Sequence, residues 1–437
     1  MVEMVEMSKI KENKKKNKFL YIGIFIILFY SFFCSLLTIH IKQKYYSALY
    51  IIALFFIAIG TYENFLKKKN KEIFIETMAM SFIIIFRNAD INHGIISTFI
   101  FNIVPILSLM LLSSNNSWND YFIKLVRIFT FIHIVATFFC FLFPNIYLTY
   151  ILPLYPDTRN ELMYQFNHKQ VAGITQHYST NALYLVIGLI FNSIQLFYKG
   201  KSKKIRVNNI IIYILNTIAL LLTGKRGMVL YYIISAILML LIINKGNIFK
   251  TIWKLLPMVI GTIILISILS ISIPSITNPF TKILEATHDE SVFNSREILW
   301  NEAKELFKRH PIFGIGWGDY KYEYNLDIIN KEREYMQVHC IYLQVLCETG
   351  VVGFTIFVLI LLRLGFIAFK DFRKFLDNKY IFVFLMFYNY FILEGITGNP
   401  IYDIQIYISF YMTVAMFLNI HYLIKNKEKI ENEKIDN

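Results

Sequence analysis

The sequence predicts an all-α polytopic membrane protein: about 12 transmembrane helices and one long external loop that contains an amphipathic helix. Three observations carry that prediction. Of 437 residues, 56% are hydrophobic and only 17% charged, where a soluble chain carries about 25% charged residues. Apolar runs of membrane-crossing length recur along the whole chain. Lysine and arginine then gather in alternate connections between those runs, as cytoplasmic loops do. The mean hydropathy of +0.50 excludes a disordered chain, a secreted disulfide scaffold and an ordinary cytosolic enzyme. Residues 1–437 read as a single membrane domain without internal repeats.

Taken in order, the candidate spans are 19–38, 46–65, 73–87, 91–113, 121–143, 171–198, 208–223, 228–243, 255–274, 341–362, 380–397 and 402–424. The first run is long and lacks a small-residue cleavage site, so no cleavable signal peptide is expected. With both termini cytoplasmic, 29 of the 44 basic residues fall in inside segments, including Lys9 to Lys18, Lys67 to Lys71 and Arg363 to Lys379. The net charge of +14 is therefore a topology signal and not a nucleic-acid footprint. Cys34, Cys140, Cys340 and Cys347 are scattered without metal-ligand spacing and read as membrane-buried packing residues.

The segment 275–340 is the one long connection, and long connections are usually functional. From Asn294, a suitable N-cap, the stretch Arg296–Arg309 places Leu299, Ala303, Leu306 and Phe307 on one helical face, with Trp300 beside them. Pro311 stops that helix, and Gly314, Gly316 and Gly318 follow as a turn. The expected arrangement is an amphipathic helix lying on the outer leaflet.

Four polar features lack an obvious structural purpose. Lys225 and Arg226 put paired charge into a short external connection, where a rigid guanidinium fork suits phosphate; snorkelling toward lipid headgroups is the alternative. Arg296 falls in the first turn of the loop helix, where a cation opposes the helix dipole and suggests a bound anion; a loop acid could pair with it instead. His339 stands at the outer mouth of the tenth span, where a neutral imidazole could take a proton from a hydroxyl or serve only a structural hydrogen bond. Glu348 lies inside that span and needs a partner or a helix to orient. Gly-Ile-Gly-Trp-Gly at 314–318 follows no strand and is not a nucleotide fingerprint.

Together these pieces resemble the O-antigen ligase/polymerase family of bacterial surface-polysaccharide enzymes. The likeness rests on Gly-Lys-Arg-Gly at 224–227, on Ser-Arg-Glu-Ile-Leu-Trp through His-Pro-Ile-Phe-Gly-Ile-Gly-Trp-Gly at 295–318, and on His-Cys-Ile-Tyr-Leu-Gln through Glu-Thr-Gly-Val-Val-Gly at 339–353. Cys340 departs from the Asn common in the family. A further likeness covers Gly173 to Ala182, where members carry a Gly…His/Asn…Ala run entering a span. The resemblance spans about residues 170–360.

It implies a membrane glycosyltransferase whose donor glycan hangs on undecaprenyl pyrophosphate, with no cofactor and no metal. Carried over by position, His339 would be catalytic, and Arg226, Arg296, Lys225 and His177 would bind substrate. The acceptor is another lipid-linked repeat unit in a polymerase, or lipid A core in a ligase. The Ile-, Lys-, Asn- and Phe-rich composition is common in capsule-forming bacteria that lack lipid A, and this favours a repeat-unit polymerase making capsule, exopolysaccharide or O-antigen. A flippase and a chain-length regulator would be its partners in the cytoplasmic membrane. A lipid-linked oligosaccharide flippase is the competing class, but a transporter should show polar groups at mid-membrane in paired halves, and no matched halves are visible.

Overall fold

The computed structural model describes residues 2–40, 43–67, 110–197, 203–244, 246–249, 291–323, 337–374 and 378–435, with a few positions between 252 and 267. The candidate spans 73–87 and most of 91–113 and 255–274 lie outside the described residues, as do 275–290 and 324–336 of the long loop. Among the described residues every regular element is a helix, as intramembrane backbone requires. We number the main ones α1 (Val2–His40), α2 (Gln43–Lys67), α3 (Asn119–Leu142), α4 (Arg159–Asn167), α5 (Tyr178–Phe197) and α6 (Lys203–Leu222). They continue as α7 (Arg226–Ile243), α8 (Ser291–Arg309), α9 (Ile341–Lys374), α10 (Lys379–Glu394) and α11 (Ile404–Ile435).

Six described stretches are long and apolar enough to cross a bilayer: Asn17–Leu37, Asn119–Leu142, Tyr178–Leu196, Arg226–Ile243, Ile341–Phe372 and Ile406–Asn426. The apolar parts of α2 and α6, Ile51–Thr61 and Val207–Leu222, are shorter. Burial sorts these helices into layers. α5, α10 and the first half of α11, to Ile420, are largely apolar and buried, so they form the bundle centre. α7 and α9 leave Leu230, Ile233, Leu362 and Phe366 exposed, an apolar surface suited to lipid.

The connections separate cleanly by end. At one end Tyr21 donates to the Ser117 carbonyl, Lys379 pairs with Asp120 at 2.5 Å, and His421 meets Asp371 at 2.7 Å. At the other end lie residues 143–177, the 223–226 turn, α8 and the α10–α11 connection. α1 kinks at Phe33, and the carbonyls beside the kink are met by Tyr184 Oη on Ser31 and His133 Nε2 on Phe32.

Three expectations need correction. The sixth span does not begin at 171: Gly173 has φ +61°, and a Cβ there would press on Asn181, so 171–177 forms turns and α5 starts at Tyr178. The loop helix begins at Ser291, not after Asn294, which leaves Asn294 inside it and Arg296 in its second turn, where the dipole argument fades. The apolar face of that helix packs on protein and not on lipid. Leu299, Ala303 and Leu306 are buried against Tyr320, Val338, Cys340 and Cys347, so protein covers its apolar face.

Candidate active site

The site is built around a deliberate break in α9. Gly350 takes φ +63° inside that helix and interrupts its hydrogen-bond ladder. Residues 311–316, just after α8, insert into the opening. Ile315 N donates to the Cys347 carbonyl at 3.0 Å and Gly316 N to the Glu348 carbonyl at 2.9 Å. Val351 N and Val352 N, released from those same carbonyls, donate to Pro311 and Ile312 at 2.9 and 3.2 Å. Every group freed by the break thus finds a partner, as a backbone at membrane depth must. The fit requires glycine on both sides. A Cβ at Gly314 would overlap the backbone of Glu348 and Thr349, and one at Gly350 would overlap that of Ile312 and Phe313.

Glu348 locks the inserted segment from below. Its carboxylate is fully buried and accepts from Gly318 N at 2.8 Å, Gln344 Nε2 at 3.1 Å, Tyr320 N at 3.4 Å and the Tyr402 hydroxyl. Four donors on one carboxylate explain how an acid is tolerated there. Tyr402 also stacks on Trp317 at 4.9 Å, tying the α10–α11 connection to the glycine turn. That connection reaches the start of α9 as well, through Ile341 N to the Gly395 and Gly398 carbonyls and Asn399 Nδ2 to Gln337 Oε1.

His339 sits on this platform. It is exposed and adopts φ +54°, a left-handed conformation uncommon outside glycine and more often than chance a mark of function. The residue is exposed by accessible area, yet protein atoms crowd around its ring. Burial, then the Arg296 guanidinium, then the Lys225 ammonium push its pKa down to about 4. The exposure of the residue tempers the burial contribution, and the two cations act in the same direction. Arg296 and Lys225, 71 residues apart in sequence, therefore converge on one imidazole. Gly224 (φ +72°) ends α6, Lys225 precedes α7, and Arg226 is the first residue of α7, so Arg226 adds its charge to the positive end of an 18-residue helix.

Residues 211–358 match the family described as O-Antigen ligase. That stretch, about a third of the chain, is similar to the O-antigen ligase family. No curated protein matches the chain. The O-antigen ligase match runs from within α6 to within α9 and so encloses Lys225, Arg226, α8 with Arg296, the inserted turn, His339 and Glu348.

His177 lies before the matched stretch and joins the site through Lys225, whose Nζ rests 5.1 Å over the neighbouring Tyr178 ring. Burial and then Lys225 hold its pKa down to about 4, and Glu161 at 3.2 Å does not reverse that direction. Both ring nitrogens are occupied. Nδ1 accepts from Ser179 N at 3.0 Å, which leaves the proton on Nε2 facing Glu161. Two acids that the sequence reading passed over complete the surroundings: Glu394, buried, and Asp403, partly exposed, both feel the charge of Lys225. Neither acid carries a motif in the sequence. The four cysteines are free and buried, as expected of packing residues. Among the described residues no three His, Cys, Asp or Glu side chains gather as a metal site.

Proposed function

We propose that the protein is a membrane glycosyltransferase, a polymerase of undecaprenyl-pyrophosphate-linked oligosaccharide repeat units. It works on the outer face of the cytoplasmic membrane, with both termini inside. The family supports a ligase- or polymerase-type membrane enzyme, and the composition favours the polymerase. The observation that carries the site assignment is His339, held in a left-handed conformation under the combined field of Arg296 and Lys225.

The chemistry follows from that arrangement. An acceptor hydroxyl attacks the anomeric carbon of the donor glycan, a new C–O bond forms, and the bond to pyrophosphate breaks with its electron pair leaving on the phosphate oxygen. Pyrophosphate departs easily only if fixed cations meet its growing charge. Arg226 at a helix N-terminus and Arg296 supply forked donors for that anion, with Lys225 beside them. His339 stays neutral near pH 7 and accepts the acceptor's proton. His177, whose nitrogens are engaged internally, contributes to substrate binding by holding Tyr178 and Lys225 in place.

Deleting the gene in its own host and analysing the lipid-linked glycans tests the reading. A polymerase deletion leaves single repeat units on the carrier lipid and no long surface polymer, restored by wild-type protein but not by Arg296→Ala. Long lipid-linked chains awaiting transfer to lipid A core would make it a ligase instead. Unchanged surface glycan and carrier pools would overturn the glycosyltransferase reading.

A further inference from the structure

The opposite end of the bundle holds a cation that nothing in the proposed reaction uses. Arg127 lies on α3, two turns into the helix, where it ties three helices together. Its Nε donates to Asn192 Oδ1 of α5 at 2.9 Å, and its Nη2 donates to Asn209 Oδ1 of α6 at 2.7 Å. Both acceptors are neutral amides. No carboxylate among the described residues pairs with Arg127, although Asp120 on the same helix pairs with Lys379. A guanidinium has five N–H donors, so two bonds leave donors to spare. Asn192 is itself 2% exposed, and its Nδ2 donor has no partner. The cluster is thus rich in donors and short of negative charge at a depth where uncompensated charge is costly.

What surrounds the cluster specifies the missing anion. Arg127 is only partly buried. Beside it on α3, Ile128, Phe131 and Val135 are exposed, and on α6 so are Val207, Ile210 and Ile211. These two apolar stripes belong to candidate membrane helices and flank the arginine. Lys124, exposed one turn toward the helix start, adds a second positive charge at the rim. Apart from Lys124 and Asn208, the exposed neighbours named on both helices are apolar, a surface that a lipid's chains would cover and a free phosphate would not.

We propose that Arg127, Asn192 and Asn209 form the headgroup subsite for one anionic phospholipid in the leaflet at this end of the bundle. Its phosphate takes the spare guanidinium donors, and its acyl chains lie along the α3 and α6 stripes. The subsite is independent of the glycosyltransferase assignment.

The test uses the full-length protein purified in a neutral detergent. Phosphatidylglycerol, phosphatidylcholine or inorganic phosphate is added, and thermal unfolding and native mass spectra are recorded. Phosphatidylglycerol is expected to raise the melting temperature and leave one retained lipid, with phosphatidylcholine and inorganic phosphate giving much less. Arg127→Gln should weaken that retention at least about tenfold, and Lys124→Gln should weaken it only slightly. Equal retention by Arg127→Gln, or equal stabilisation by phosphatidylcholine, would overturn the subsite. Stabilisation by inorganic phosphate alone would mark a free-anion site and overturn the lipid assignment. Should Arg127→Gln fail to fold, photo-crosslinking of the wild type with a diazirine-bearing phosphatidylglycerol decides: crosslinks within 124–135 and 207–211 support the proposal, and crosslinks elsewhere refute it.

Discussion

A neutral imidazole is what the proposed chemistry asks of His339, and its surroundings keep it so. Burial, Arg296 and Lys225 all favour the uncharged form and set its pKa near about 4, below the ordinary 6.5. A base whose pKa is lowered stays unprotonated until the pH falls toward that value. Activity should therefore hold from pH 8 to about pH 5 and drop only nearer pH 4. Lys225→Met removes one of the two cations, so the acid limb of the pH–rate profile should move up toward 6.5; an unmoved limb would detach Lys225 from His339. For the donor, Arg226→Lys and Arg296→Lys keep charge but lose the fork, and each should lower the rate by about 10²-fold or more. Wild-type polymer length in both variants would remove the arginines from the donor site. Sequence reading singled out 226, 296 and 339 by charge, placement and motif, although the dipole reason offered for Arg296 lapses once it stands in the second turn of α8. Asp403 and Glu394 were not singled out, because their meaning lies in Lys225, more than 160 residues away.

At the scale of the element, the break in α9 decides whether the site assembles. Gly350→Ala and Gly314→Ala each combine left-handed strain with overlap against backbone that cannot yield. Each should cost roughly 1–3 kcal/mol from strain alone, with the overlap adding more. Gly318 also has positive φ (+82°), but a Cβ there meets nothing within 4 Å, so Gly318→Ala is the control that carries strain without overlap. Thermal unfolding of the three variants should rank Gly318→Ala mildest, and an equal loss in all three would contradict the inserted-loop geometry. Tyr402→Phe takes one donor from the buried Glu348 and should cost about 1–3 kcal/mol. Sequence periodicity found the apolar face of α8 correctly, since Leu299, Ala303 and Leu306 are buried. It could not say what covers that face, because spacing registers only that a stripe is apolar. The left-handed turn at Gly350 was hidden for a similar reason: a glycine in an apolar run reads as helix until its partner loop is known.

For the whole molecule, the charge rule and the coordinates agree, among the described residues, on which connections share an end. Segments expected inside meet around Ser117, Asp120 and Lys379, and those expected outside meet around His339. Thiols introduced at 202 and 325 test the orientation in intact cells. Position 325 should label with a membrane-impermeant reagent and position 202 should not; the reverse pattern would invert the topology. Hydropathy made the all-helical membrane class readable, because a bilayer imposes one length and one polarity on every crossing helix, and six such helices stand among the described residues. The joining of α8, α9 and the α10–α11 connection into one platform rests on backbone hydrogen bonds that no composition encodes. The central claim is glycosyl transfer from a lipid pyrophosphate at the His339 platform. Its most direct test is the purified protein in liposomes, supplied with lipid-pyrophosphate-linked repeat units extracted from cells lacking it, with glycan length and released polyprenyl pyrophosphate measured together. Wild type should give a ladder spaced by one repeat unit and one released carrier per bond, while His339→Ala, at normal abundance and with the donor still bound, should fall about 10²–10⁴-fold in both. Equal product from wild type and His339→Ala, or a ladder without released carrier, would contradict it.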